Sequence, residues 1–285
     1  MNILITGSNG QLGSEIKSLS SLFTERNFFF TDVEELDITN AEAIEAYIAE
    51  NKINTLINCA AYTAVDKAEE ESGLAKLINV EAVKILAEAT SRADALLIHI
   101  STDYVFDGKN YRPYVEDDPT NPQSVYARTK LDAEKMVEKY ASKGVVVRTS
   151  WLYSSFGNNF VKTMMKYGNE RESLNVVFDQ IGTPTYANDL AMAILQINNQ
   201  LSDYQGYDVL HFSNEGVCSW YDFALAIMED KGIDCVINPI LSKDYPLPAP
   251  RPFYSVLDKT KIKTKFAIEI PHWRDGLRKC LKKIN

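Results

Sequence analysis

The stretch MNILITGSNGQLGSEI, Met1 to Ile16, decides how the rest of the chain is read. Met1 to Thr6 is mostly apolar and β-branched with little alternation, the pattern of a short strand buried on both faces. Gly7, Gly10 and Gly13 follow, and a helical pattern begins with Ser14, Glu15 and Ile16. Strand, glycine turn and helix in that order form a nucleotide-binding unit. Glycines let the backbone approach a pyrophosphate, which rests against the positive end of the helix. The spacing is G-x-x-G-x-x-G, not G-x-G-x-x-G, so the turn is expected to differ in detail from the usual fingerprint. A second strand, Phe28 to Thr31, ends at Asp32, near the offset of about 20 residues at which an acid meets the adenosine ribose. A tight turn that binds nothing would not need that acid.

Outward from this unit, strands and helices alternate. Asn40 to Glu50 reads as a helix, Thr55 to Asn58 as a strand, Ser72 to Thr90 as one long helix, and Ala95 to Ile100 as a strand running into Ser101, Thr102 and Asp103. A helix through Tyr126 to about Tyr140 and a strand from Gly144 to Arg148 follow. The alternation predicts a Rossmann-type α/β fold, a doubly wound parallel sheet with right-handed crossovers. In such sheets ligands bind beyond the carboxyl ends of the strands, and Gly7 to Gly13, Asp32, Asn58 to Thr63, Ser101 to Asp103 and Trp151 all fall there. After Trp151 the pattern loosens into helices near Phe160 to Tyr167, Asn188 to Asn198 and Trp220 to Lys231. The last opens on Ser219 and Asp222, a pair suited to a capping box. Pro246 to Pro252 is too proline-rich for a helix or central strand and reads as a surface loop. The expected division is residues 1–150 as the nucleotide domain and 151–285 as a smaller α/β substrate-binding region, some of whose segments return to the first domain.

Composition narrows the function. A length of 285 residues allows a large core, and 45% hydrophobic with 24% charged residues is the balance of an ordinary globular protein. The formal charge of −9, with no basic stretch to offset it, argues against nucleic acid as a partner. Cys59, Cys218, Cys235 and Cys280 show no metal spacing, and His99, His211 and His272 are scattered, so no metal site is expected. No apolar run is long enough for a membrane span, and the expected setting is cytoplasmic.

One pair carries chemistry. In SVYARTKLDAEK, Tyr126 and Lys130 stand at i and i+4 of the expected helix and leave the same face one turn apart. A lysine cation there can lower the pKa of a phenol. By itself Y-x-x-x-K more often marks a solvated helix face; the upstream nucleotide unit is what raises it. Thr102 at a strand end could simply turn the chain, Trp151 could be core, and a loop arginine such as Arg251 usually points to water. Tyr104 and Phe106 read as core.

Taken together, the glycine run, Asn58 to Asp66 (NCAAYTAVD), Ser101 to Gly108 (STDYVFDG), Tyr126-x-x-x-Lys130, Arg148 to Trp151 (RTSW) and Arg251-Pro252 resemble the extended short-chain dehydrogenase/reductases. Within them, Thr63 to Glu69 and RTSWLY followed by Gly157 to Phe160 (GNNF) are similar to the dTDP-4-dehydrorhamnose reductase family, over essentially the whole chain. The resemblance implies reduction of the 4-keto group of a dTDP-sugar by NADPH or NADH. Tyr126 would then be the general acid, Lys130 would hold the nicotinamide ribose and keep the phenol's pKa low, and Thr102 would donate a second hydrogen bond to the developing oxyanion. It further implies that Gly7, Asn9, Gly10, Gln11, Leu12 and Gly13 hold the pyrophosphate, Asp32 the ribose, and Asp37 and Ile38 the adenine edge. Ala60, Ala61, Tyr62 and Thr63 would line the nicotinamide side, with Asp103, Trp151 and Arg251 on the substrate.

Two departures stand out. Some members of the family form dimers bridged by a metal held by glutamates; here Glu15 is present, but Ala187-Asn188-Asp189 and the tail Lys282 to Asn285 lack the others, so a monomer or weak homodimer is expected. Ser8 and Asn9 stand where a basic residue would grip a 2′-phosphate, which argues against strict NADPH dependence. The rival readings are a sugar-nucleotide 4-epimerase or dehydratase and a non-catalytic reductase-like regulatory subunit. A dehydratase needs an Asp-Glu pair after its Thr, whereas Thr102 is followed by Asp103 and Tyr104. A regulatory subunit need not keep Thr102, Tyr126 and Lys130 together.

Overall fold

The computed structural model describes residues 1–201 and 204–284. Its first half alternates as the sequence predicts: β1 (Asn2–Thr6), α1 (Gln11–Leu19), β2 (Asn27–Thr31), α2 (Ala41–Glu50), β3 (Thr55–Asn58), α3 (Ser72–Lys76), α4 (Ala82–Arg92), β4 (Leu96–Thr102), α5 (Val125–Tyr140) and β5 (Lys143–Thr149). Every strand pair of the main sheet is parallel, in the order β2-β1-β3-β4-β5. The order reverses direction at β1, so a crevice opens between the carboxyl ends of β1 and β3. The sheet is doubly wound. On one face Ile3, Ile5, Ile57, Ile98 and Val147 pack under α1 and the helix α7 (Ala187–Asn199). On the other, Leu4, Leu56, Leu97 and Val146 pack under α2, α4 and α5. All four residues of β3 are buried, which is why its run lacks alternation.

Three local outcomes differ from the sequence reading. α1 begins at Gln11 directly after Gly10 instead of at Ser14, because the glycine turn is complete by residue 10. The expected helix Ser72 to Thr90 holds a π turn at Leu77–Glu81 between α3 and α4. A sixth strand, β10 (Gly206–His211), joins the sheet beside β5 from far along the chain; its Gly and Asp hide it in the sequence.

The second half adds β6 (Leu152–Tyr153), α6 (Phe160–Glu170), β7 (Ser173–Val177), β8 (Ile181–Gly182), β9 (Thr185–Tyr186), β11 (Cys218–Ser219), α8 (Trp220–Lys231), β12 (Val236–Ile240), α9 (Thr260–Phe266) and α10 (Trp273–Leu281). The strands pair two by two, β7 with β12, β8 with β11 and β6 with β9. A separate core of Tyr153, Val161, Leu174, Phe223, Ile227 and Leu277 holds this region together. Ser219 and Asp222 form the capping box that starts α8, and residues 246–252 are a loop without helix or strand.

Candidate active site

The wall of the cleft below β1 and β3 is built from backbone. Gly7 has φ +65, and a Cβ there would lie 2.6 Å from the Ala60 nitrogen. At Gly13 a Cβ would lie 2.5 Å from the Gly7 carbonyl oxygen. Only glycine lets the two loops close on each other in this way. Gly10 is the N-cap of α1 and no side chain caps the helix, which leaves the first-turn N–H groups for an anion. The Asp32 carboxylate ties the glycine loop to the end of β2, accepting the Asn9 and Val33 N–H groups at 2.9 Å each. A carboxylate has about four acceptor positions, so it retains capacity for ribose hydroxyls. Asp37 accepts from the Thr39 N–H and hydroxyl, while Ile38 is buried in the core beneath. The loop after β3 is held by Asn79 of the π turn, which accepts the Tyr62 N–H at 2.8 Å and donates to the Tyr62 carbonyl at 3.1 Å and to Thr129 at 3.0 Å. The Tyr62 hydroxyl turns outward to Glu71. A helix N-terminus that no side chain caps, a glycine cradle and an acid at the end of β2 fit a dinucleotide.

Reacting groups meet where β4 ends against α5. Thr102, Asp103, Tyr126 and Lys130 line one cleft of about 610 Å³ with Gly10, Gln11, Leu12, Ala61, Thr63 and Trp151. Gly7, Asn9, Gly13, Asp32, Asp37, Ile38, Ala60 and Tyr62 lie behind or beyond this lining. Ser124 caps α5 by accepting the Ala127 N–H, which fixes the turn that presents Tyr126. Lys130 does not reach the phenol as the sequence reading expected. Its Nζ donates to the Ile100 carbonyl at 2.7 Å and lies 3.2 Å from His99 Nε2. Burial pulls the ammonium down to about 8, with Glu134 and Cys59 pulling the other way. Burial also pushes the Tyr126 phenol up to about 12; the Thr102 hydroxyl lowers it and Asp103 adds to the rise. The expected lowering by Lys130 is therefore absent: desolvation outweighs a charge that is turned elsewhere. A raised pKa keeps the phenol protonated at neutral pH, the form a proton donor needs.

The opposite wall is aromatic. Trp151 adopts φ +47, uncommon for a side-chain-bearing residue. Its ring stacks on Trp220 with centroids 3.6 Å apart and planes 8° apart, and a Cβ at Gly182 would collide with its other edge. It is half-buried and faces the cleft. Tyr104, expected as core, also faces the cleft: the short helical turn Asp103–Val105 swings its ring edge-on to Tyr126, centroids 5.9 Å apart. Phe106 is buried as expected. Arg251 does not point to water; it donates to Asp66 at 2.7 Å and to the Ala249 carbonyl at 2.8 Å. It lines a neighbouring hollow of about 280 Å³ with Tyr104, Trp220 and Tyr245.

Sequence reasoning missed Trp220, His99 and Asn79. An aromatic residue at the first position of a capped helix was a readable signal for Trp220; the other two carried none, since their roles come from contacts across the fold. Glu15 is fully buried, accepting from Ser154 at 2.6 Å and Asn188 at 2.8 Å, with Lys283 at 3.6 Å. Of the tail that lacks glutamates, Asn285 lies outside the described residues.

A parallel sheet with a glycine-turn crevice, and a Tyr and Lys one helical turn apart at its mouth, define an oxidoreductase of the short-chain dehydrogenase/reductase type. The family model described as "RmlD substrate binding domain" matches residues 1–285. The chain belongs to the dTDP-4-dehydrorhamnose reductase family. It is 41% identical to the dTDP-4-dehydrorhamnose reductase of Aggregatibacter actinomycetemcomitans, the match covering 97% of each chain. Among solved structures it is similar to a dTDP-4-dehydrorhamnose reductase from Clostridium acetobutylicum (44% identity, TM-score 0.93, 99% of each chain). The enzyme of that name from Bacillus anthracis, solved in complex with NADP, is 37% identical with a TM-score of 0.93 over 99% of each chain.

Proposed function

We propose that this protein reduces the 4-keto group of dTDP-4-dehydro-6-deoxy-L-mannose with NADPH or NADH, giving dTDP-L-rhamnose. The observation that carries the reading is that a dinucleotide wall and Thr102, Tyr126 and Lys130 share one cleft. When bound, the reduced dinucleotide supplies a hydride from nicotinamide C4 to the carbonyl carbon. Tyr126 gives its phenolic proton to the carbonyl oxygen, and Thr102 steadies that oxygen as charge develops. Lys130, which here donates to the Ile100 carbonyl, would hold the nicotinamide ribose. Trp151 forms a wall for the sugar, and Arg251 offers a cation to the substrate's diphosphate, in competition with Asp66.

The NADP-bound relative supports use of NADPH, and the lack of a basic side chain at Ser8 and Asn9 supports use of NADH as well. Glu15 is engaged within its own chain, which supports a monomer or weak homodimer over a metal-bridged one. The four cysteines are unpaired, which suits the cytoplasm, and among the described residues no helix is long and apolar enough to cross a membrane.

One assay tests the reading: purified protein with dTDP-4-dehydro-6-deoxy-L-mannose and either cofactor, followed at the nicotinamide absorbance. Stoichiometric oxidation with both cofactors, their kcat/KM within about 100-fold or roughly 2.7 kcal/mol, is expected. No net oxidation while the sugar epimerises would make the protein an epimerase, and no reaction of any kind would leave a binding subunit.

A further inference from the structure

Thr102 has one hydroxyl hydrogen, and it is already committed. Its Oγ1 donates to Asp103 Oδ1 at 3.0 Å and accepts the Tyr104 N–H at 3.2 Å. While Asp103 is a carboxylate, which can only accept, it holds that hydrogen against the Tyr126 phenol, which is also within reach, and against a substrate oxygen. The surroundings of Asp103 disfavour the carboxylate. The residue is 2% exposed, and its Oδ2 has no hydrogen-bond partner at ordinary distance; the Ser255 hydroxyl, also without one, comes near enough to offset part of the cost of burial but too far for a full bond. The cations nearest the cleft are spoken for, Arg251 by Asp66 at 2.7 Å and Lys130 by the Ile100 carbonyl at 2.7 Å. The titratable groups that face Asp103 are Tyr104 beside it and Tyr126 from α5, both raised by burial first and further by its negative charge. A dry carboxylate with an orphaned oxygen and no ion-pair partner takes up a proton instead. Burial raises Asp103 to about 7, against the hydrogen bonds that lower it.

We propose that Asp103 works as a neutral carboxylic acid, its proton donated to Thr102 so that the Thr102 hydrogen is released toward the carbonyl oxygen of the substrate. Asp103 is then a positioning residue, acting through Thr102, and its ionisation switches Thr102 from donor to spectator. This rests on the reductase reading above.

The experiment is the pH dependence of kcat/KM for the sugar at saturating cofactor. The wild type falls as pH rises through about 7, down to about 10²-fold, the worth of one oxyanion donor. Asp103→Asn, whose amide donates to Thr102 at every pH, loses this limb between pH 6.5 and 7.5. Thr102→Val has no hydrogen to aim, so its residual turnover loses the limb as well. A limb that survives in either variant overturns the proposal, because a carboxylate that merely caps the turn would not shape it. A ¹³C-aspartate NMR titration of the protein with oxidised cofactor reads the same group without turnover. One carboxyl titrating near neutrality and missing in Asp103→Asn is expected; all aspartates ionised at pH 6 would refute the idea. If the chain reduced no 4-keto sugar nucleotide, the functional reading would fall while the NMR titration still decided the state of Asp103. Should Asp103→Asn not fold, the Thr102→Val profile decides.

Discussion

The two walls of the cleft are made of different material. Along β1, α1 and the loop after β3, contact is made by main chain: Gly7 at φ +65, Gly13 with no space for a Cβ, and an uncapped helix N-terminus. Across from it, contact is made by side chains on a less regular framework, with Trp151 stacked on Trp220, Tyr104 edge-on to Tyr126, and Arg251 tied to Asp66. A backbone wall suits a ligand part that never varies, because it admits almost no substitution. A side-chain wall can be re-cut one residue at a time. Tyr126 stands between them and should serve neither.

That division makes the largest expected effect a kinetic one. Tyr126→Phe should lower kcat by about 10²–10⁴-fold while leaving cofactor affinity, read by fluorescence titration, nearly unchanged; wild-type turnover with chemistry rate-limiting would sink the assignment. Next comes Gly13→Ala. Its Cβ would press on the Gly7 carbonyl and the Ser8 Cα, and overpacking of this kind costs about 1–3 kcal/mol. Cofactor binding should weaken and the melting temperature fall, with the KM for sugar little changed. An equal rise in both Michaelis constants would dissolve the distinction between the walls.

A smaller effect tests the sheet edge that supports the side-chain wall. His211 on β10 is buried, with Nδ1 facing the Tyr114 carbonyl at 3.1 Å and Nε2 3.4 Å from Arg148. Burial and then the Arg148 charge push its pKa down to about 3. Above about 6.5 neither folded nor unfolded chain protonates this histidine; between there and 3 only the unfolded chain does. Stability should therefore fall with acid across that window, by about 1.4 kcal/mol per pH unit from this residue, and His99, also pushed down by burial, acts in the same direction. Denaturant midpoints at pH 7 and pH 5 check it, and His211→Gln should flatten the difference. An unchanged slope would place the acid sensitivity elsewhere.

The smallest effect concerns Trp151. Trp151→Ala should raise the KM for sugar and lose about 0.5–1.5 kcal/mol of stacking, visible as a slight drop in melting temperature. A loss of about 3–5 kcal/mol with normal kinetics is the behaviour of a core residue and would remove Trp151 from the sugar wall.

The same contrast separates what the sequence could say from what it could not. β1, the glycine turn and β3 were readable because local pattern and final environment agree: unbroken apolar strands lie in the sheet centre. α8 was readable to the residue, since Ser219 and Asp222 cap it without outside help. β7 and β12 were not, because each is weak alone and exists through pairing with a segment some 60 residues away, β12 even carrying Pro239. Tyr104 reads as core beside Phe106, an aromatic just past a buried strand; the turn at Asp103–Val105 separates the two and brings Tyr104 to the cleft. The Tyr126 and Lys130 spacing was legible, but the lysine's actual partners, His99 and the Ile100 carbonyl, belong to a different strand and leave no local trace.

The π turn at Leu77–Glu81 sets limits on how this chain can change length. It holds Asn79 against the loop that follows β3. Deleting one residue there would let the helix run on as a regular α-helix, a gain in local geometry. The extra residue is taken up inside the widened turn, so the helix on either side of the deletion would keep its facing. The loss would fall on the bulge itself: Asn79 would leave Tyr62 and the loop after β3 would lose its tether. Gene variants that drop a codon between 77 and 81 should therefore be rarer among working copies than variants that substitute one, although the protein they encode has the straighter helix.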